Sequence, residues 1–195
     1  TESRTDFPMP ILDKEPDLYP DQLLDSPEIV VPNGQWYAIY TLSRREKELM
    51  RRLRAQNIAH YGPMVSRRTR SPTGRVRTSY VPLFTGYVFV CGTEEDRYNT
   101  VATGCISKCL HVSEPDVLVS DLAKIRLLEL HGQDVQAEIR PAVGQRARIV
   151  RGPLKERELV GTISQVNSQH RLTIVVNFLQ QGASITVDEA DIELI

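Results

Sequence analysis

The chain has 195 residues, 41% hydrophobic and 25% charged, which is an ordinary globular balance with room for one domain or two small ones. It contains no run of ~18 apolar residues that would encode a membrane span, and the opening TESRTDFPMP lacks the basic start and apolar core of a secretory signal. The net charge of −1 is unevenly placed: residues 1–34 carry two basic and eight acidic groups, residues 35–90 eleven and two, and residues 91–195 eleven and fifteen.

Ten of the eleven cations in the basic block are Arg, the side chain suited to forked phosphate contacts, so the block points to a polyanionic partner. Solvation of a helix face and a loop is the plainer alternative. Three cysteines, Cys91, Cys105 and Cys109, are too few and too odd in number for a disulfide framework and fit a reducing cytoplasm.

Residues 1–34 hold six prolines among acids with no apolar period, which predicts an extended or disordered acidic arm. QWYAIYTL is an aromatic, β-branched strand. SRREKELMRRLRAQNI then reads as a helix, with Ser43 and Glu46 as a capping box and Leu49, Leu53 and Ile58 as its apolar stripe. AHYGPMVSRR is a second strand, and Pro72 and Gly74 turn the chain back through RVRTSY. LFTGYVFVCG is a central strand, EEDRYNTVAT a short helix and SKCLHV another strand. VSDLAKIRLLELHG is a last helix, capped by Ser120 or Asp121. This β-α-β-β-α-β order is that of a split βαβ sandwich with its helices on one face of an antiparallel sheet. After a polar linker at 133–141, the stretches RARIVR, LVGTISQV, RLTIVVNF, ASITVD and IELI predict a small five-stranded β-barrel over 142–195.

Cys105, Cys109 and His111, with Cys91, form an incomplete metal-ligand set, so buried free thiols are expected rather than a metal site. No nucleophile–base motif, phosphate loop or zinc-hydrolase helix occurs. Neither enzymatic activity nor a cofactor is expected.

The segments WYAIYTLSRREKELMRRLRAQNI, YGPMVSRRTR and PLFTGYVFV, in that order and spacing, resemble the N-terminal (NGN) domain of the NusG family of transcription elongation and antitermination factors. VGQRARIVRGPLKERELVGTI looks like the KOW element that opens that family's C-terminal barrel. The resemblance implies an α+β chain: a ferredoxin-like split βαβ sandwich over 35–132, joined by the linker to an SH3-like KOW barrel. It further implies a monomeric factor that docks on the RNA polymerase clamp coiled coil, bridges the nucleic-acid cleft and suppresses pausing and termination. The matching docking residues are Trp36, Tyr37, Tyr40, Leu83, Phe84 and Tyr87. Because successive strand residues face opposite sides, about half of them are expected to be interior. Arg67, Arg68, Arg70, Arg75 and Arg77 bracket the Pro-Gly turn and are expected near DNA at the transcription bubble, mostly at the backbone. Arg44 and Arg45 are placed with them, although the helix arginines could equally pair with the acidic arm.

In the barrel, Gly152, Pro153, Leu154 and Gly161 match the KOW turn and partner surface. The family commonly has Phe at the position of Leu154, where it helps bind the termination factor Rho and a small-subunit ribosomal protein. Leucine leaves both partners in doubt. Thr85 replaces a usual Pro. These departures and the arm point to a specialised paralogue serving a subset of operons, with the general factor as the neighbouring reading. LTIVV and SITV favour strands over the helical state of the RfaH-like branch. A different class, an RNA-binding or ribosome-associated KOW protein without polymerase docking, is the alternative. The barrel's balance of six basic and six acidic residues argues against it.

Overall fold

The computed structural model describes residues 14–72, 74–132, 134–140, 144–166 and 169–195. The first part of the expected arm, residues 1–13, lies outside the described residues. Residues 14–34 differ from the extended segment that their prolines and acids predict. They form a short strand, β1 (Leu18–Tyr19), and a one-turn helix, α1 (Pro27–Val30), and they bury Leu18, Leu23 and Leu24. Burying a leucine contributes roughly 1.5–3 kcal/mol, enough to order a segment whose acids also find cations. Glu15 takes a two-pronged bond from Arg51, with Arg51 Nε and Nη2 each donating at 2.7 Å, and Asp17 accepts from Arg126 at 3.0 Å. Composition alone hid three leucines among six prolines.

The aromatic stretch forms β2 (Gln35–Thr41), followed by α2 (Glu46–Ala55). Leu49, Met50 and Leu53, with Ile58 beyond the helix end, are buried as the predicted stripe. The Ser43–Glu46 capping box does not form. Arg45 takes the N-cap position with no side-chain bond, and the buried Glu46 carboxylate turns inward to accept the Gly86 amide at 2.8 Å. A carboxylate taken out of water needs a donor, and that amide supplies one.

AHYGPMVSRR divides into β3 (Ala59–Tyr61) and β4 (Met64–Arg70). Pro63 between them has no amide to donate, and any side chain at Gly62 would strike Met50 Sδ at 2.6 Å. The chain turns back into β5 (Val76–Pro82), and β4 and β5 form a two-stranded ribbon of their own. β6 (Tyr87–Gly92) then leads to α3 (Glu94–Ala102), which is capped reciprocally by Thr93 and Asp96. β7 (Ile106–His111) and α4 (Pro115–His131) follow. Helix α4 begins at Pro115, whose fixed φ suits a first helical position, so Ser120 and Asp121 lie inside it and do not cap it.

β1, β3, β6, β2 and β7 form one antiparallel sheet in that order. Its faces separate by the two-residue period. Tyr37, Ile39, Val88 and Val90 pack with the α2 stripe, while Trp36, Ala38, Phe89 and Cys91 pack with Leu118, Leu122, Ile125 and Leu128 of α4 and with the arm leucines. The two helices of the β-α-β-β-α-β unit share the first face, where Tyr37 reaches Glu94 of α3 and Arg52 of α2 donates to the Thr103 carbonyl at the end of α3, while the added last helix α4 covers the second.

The five expected C-terminal strands are β9 (Gln145–Ile149), β10 (Val160–Val166), β11 (Gln169–Val176), β12 (Gln181–Val187) and β13 (Ile192–Leu194). A sixth, β8 (Gln136–Glu138), comes from the predicted linker and pairs with β12, giving the sheet order β13-β9-β10-β11-β12-β8. Buried Arg171 holds that segment in place. Its Nε donates to Ser184 Oγ at 2.9 Å and its Nη2 to the Asp134 carbonyl at 3.3 Å, while Ser184 Oγ donates to Glu138 at 2.5 Å. Helix α4 meets this sheet on its far side, where Asp121 accepts from the Asn177 amide at 3.0 Å and from its side chain at 2.9 Å. Among the described residues no helix is long and apolar enough to cross a membrane.

Candidate functional site

Where β2 ends and β6 begins, the turn Leu83–Gly86 aims two tyrosines outward. Gly86 has φ +83°, and a Cβ there would press on the Tyr40 ring at 3.0 Å, so glycine is needed for both backbone and space. The turn is held from both sides, by the Glu46 carboxylate on the Gly86 amide and by the Thr41 amide donating to the Gly86 carbonyl at 2.8 Å. Tyr40 and Tyr87 are cross-strand partners whose ring centroids lie 5.2 Å apart at 54°, an arrangement within the attractive range for aromatic pairs. Tyr40 is 41% exposed, and Leu42, two residues on, is 45% exposed.

Beside this pair runs a groove of about 1400 Å³, walled by Tyr40, Leu42, Tyr80, Pro82, Gly86 and Val135 among others. Of the six residues expected to dock, Tyr40 and Leu83 line it, Tyr40 with an exposed ring and Leu83 buried, while the half-buried Tyr87 ring packs on Tyr40 beside it. Trp36 (3% exposed) and Phe84 (1%) are core, as are Tyr37 and Leu83. The cause is the second helical layer: with both faces of the sheet covered, alternation no longer marks an outer side. The buried Tyr37 hydroxyl donates to Gln35 at 3.0 Å, and burial, aided by Glu94, holds its pKa above the usual phenol value. Leu42, Tyr80 and Pro82 were missed as groove residues. Leu42 carried the one usable signal, an apolar residue past the strand end two positions from Tyr40.

The ribbon stands next to this groove, and Arg67 and Arg68 line both. Arg67, Arg68, Arg70, Arg75 and Arg77 are all exposed, with no ion pair among the described residues. The helix arginines differ. Arg45 pairs with Glu48, which Arg52 also holds at 2.7 Å; together they keep that carboxyl below its usual pKa. Arg51 is taken by Glu15, and Arg54 donates to the Pro16 carbonyl. Arg44 is exposed at φ +61° on the groove rim. The expected pairing of helix arginines with the arm therefore occurs at Arg51, while Arg45 is neutralised within its own helix.

In the six-stranded sheet, Gly152 sits in an exposed turn at φ +78° with Pro153 exposed beside it. Leu154 is buried, so it does not present a partner surface. Gly161 permits close strand approach, since a Cβ there would meet the Thr173 carbonyl at 2.5 Å. Cys91 and Cys105 are buried and Cys109 half-buried, all free thiols, with burial pushing Cys91 up to about 11. Among the described residues no group of three or more His, Cys, Asp or Glu side chains is placed to hold a metal.

The family model described as transcription termination factor NusG matches residues 34–118, from β2 through the ribbon, groove and β7 into the start of α4. A transcription termination/antitermination protein NusG of Staphylococcus carnosus (strain TM300) is 25% identical over 174 residues, covering 82% of this chain and 94% of the relative. The family match takes in the basic ribbon and every groove residue named above except Val135, and the similarity to the relative extends over most of the chain, so the chain is similar to NusG-type transcription termination/antitermination proteins across both.

Proposed function

We propose that this protein is a transcription elongation and antitermination factor that docks on the RNA polymerase clamp through the Tyr40–Tyr87 groove and lays its arginine ribbon against nucleic acid at the bubble edge. The observation that carries this reading is the exposed Tyr40 ring packed on half-buried Tyr87, with Gly86 and Glu46 fixing the turn beside it, next to arginines that have no ion pair among the described residues, in a chain that matches the NusG family model. In this reading the five-stranded sheet with its flanking helices is the ferredoxin-like NGN unit and the six-stranded sheet is the SH3-like KOW barrel. Aromatic anchors can each contribute ~2 kcal/mol or more once buried against a partner. Phosphate contacts add salt-sensitive attraction without base reading. Holding protein and nucleic acid at once makes the second contact intramolecular, which lengthens residence on a processive enzyme.

The barrel recruits a further protein factor, consistent with its balanced charge. Interior Leu154 gives neither Rho nor a ribosomal protein the family's usual aromatic contact. That departure, Thr85 and the packed acidic segment support a specialised paralogue acting at a subset of operons.

The test is binding of the full chain to core RNA polymerase across a salt series, beside Tyr40→Ala/Tyr87→Ala. Polymerase binding that persists as salt rises, and falls about 100-fold in the folded double variant, supports docking through the pair. Unchanged affinity in that variant removes the pair from the interface. Binding only to RNA, collapsing with salt, would replace this reading with the RNA-binding alternative.

A further inference from the structure

Strands β4 and β5 pair in register from Met64↔Pro82 to Arg70↔Val76, and they join no other sheet. Cross-strand partners share a face and neighbours along a strand alternate, so the arginines divide. Arg68 and Arg70 lie on one face with Thr78 and Val76, whereas Arg67 and Arg77 lie on the other with Ser79 and Thr69. Arg75, whose carbonyl accepts the Ser71 amide across the turn, continues the second face. A ribbon that merely rested on one strand of nucleic acid would need cations on one side only.

The ribbon's root is fixed and its outer half is clear of the body. The Met64 amide donates to Glu129 at 2.7 Å and to Asp17 at 3.2 Å, the Leu83 amide donates to the Pro63 carbonyl at 2.8 Å, and Tyr80 packs against the α2 cluster. Beyond that, Ser66 to Arg70 and Gly74 to Arg77 are exposed on both sides. Seven residues per strand reach ~20 Å at the usual rise. From Met64 to Pro82 there are five arginines and no Asp or Glu.

We infer that the ribbon enters the major groove of B-form duplex DNA, with its two faces meeting the two opposing phosphate backbones. A groove about 12 Å wide admits a two-stranded ribbon, whereas the A-form major groove of RNA is too narrow and deep. A groove presents phosphates on both walls, which is what arginines on both faces of one ribbon match. Serine and threonine interleave the arginines and can donate to phosphate oxygens. The inference rests on the nucleic-acid-facing reading of the ribbon above and is independent of polymerase docking.

The test measures binding of the full chain to short duplex DNA, single-stranded DNA and duplex RNA over a salt series, without polymerase. Alongside it, polymerase binding is measured for Arg68→Gln/Arg70→Gln, Arg67→Gln/Arg77→Gln and the four combined. Thermal unfolding of each variant confirms folding, and since all four side chains are exposed no loss is expected. Duplex DNA is expected to bind tightest, with either pair variant weaker by about tenfold or more and its salt slope reduced by about two. The combined variant should lose duplex binding. One pair proving dispensable, or single strands or duplex RNA binding as tightly as duplex DNA, overturns the inference. A wild-type chain that binds polymerase but not duplex DNA counts against groove insertion alone. Failure of wild-type polymerase docking with duplex binding intact sinks the elongation-factor reading and leaves groove insertion standing.

Discussion

The arginines of α2 and those of the β4–β5 ribbon belong to the same basic block but meet different fates. On α2, Arg45 and Arg52 share Glu48, Arg51 holds Glu15, and Arg54 caps the Pro16 carbonyl. On the ribbon, five arginines extend into solvent with no acid on their own strands. The difference teaches that a charge count locates a block and not a site. What separates the two groups is Glu48 on α2 itself and the acidic segment 14–34, which packs along α2 and reaches the ribbon only near its root, where Asp17 accepts the Met64 amide.

The sharpest way to break that comparison is to release the segment. Asp17 is buried against Arg126 at 3.0 Å and Lys14 at 2.6 Å, and it lies beside Glu129, whose carboxyl burial and Asp17 push upward in pKa. Tyr61 also donates to Glu129 at 2.5 Å. Removing one partner from such a cluster strands the rest, so Asp17→Ala is expected to cost about 3 kcal/mol in denaturant unfolding. If the segment is what occupies α2, the same variant gains salt-sensitive nucleic-acid affinity through Arg51 and Arg54. Unchanged stability would mean that the segment is a passive tail.

A second handle is acid. His60 is fully buried beneath the Tyr19 ring at 6.0 Å, its Nδ1 facing the Ile58 carbonyl at 2.8 Å and its Nε2 without a partner among the described residues. Burial, with nearby Arg54, lowers its pKa to about 4. The unfolded chain therefore takes up the proton first, near pH 6.5, and the folded chain only near 4. Stability present above pH 6.5 is lost as pH falls towards 4, by up to about 3 kcal/mol. Unfolding curves across that range should show the loss, and His60→Phe should shrink it. An equally steep decline in the variant would assign the effect to the carboxylates.

The smallest effect sharpens the contrast from the other side. The Arg51–Glu15 pair is more than one-third exposed at both ends, so Arg51→Ala should cost only about 0.2–1 kcal/mol and leave duplex affinity unchanged. A fall in duplex affinity comparable to that of a ribbon variant would merge the two groups after all.

Much of this architecture was legible in the chain. Leu49, Leu53 and Ile58 announced the buried face of α2 by their spacing, Pro72 and Gly74 announced the fold-back, and alternation marked β9 to β13. Each of these rests on a local rule of period or turn chemistry, which needs no knowledge of what lies opposite. The aromatics were less legible. Trp36 to Ile39 are four consecutive buried residues, because α2 covers one face of β2 and α4 the other. Only Tyr40, at the strand end beyond both layers, kept an open side.

The sequence by itself determined the strands, the ribbon and the concentration of positive charge, since backbone preference and composition are properties of neighbouring residues. Tertiary structure decided which arginines stay unpaired, which tyrosines reach solvent, that Glu46 serves Gly86, and that residues 136–138 join a sheet instead of linking two. These outcomes depend on partners tens of residues away in the chain. Burial and pairing are set by what the fold brings opposite a side chain, and no local pattern encodes that.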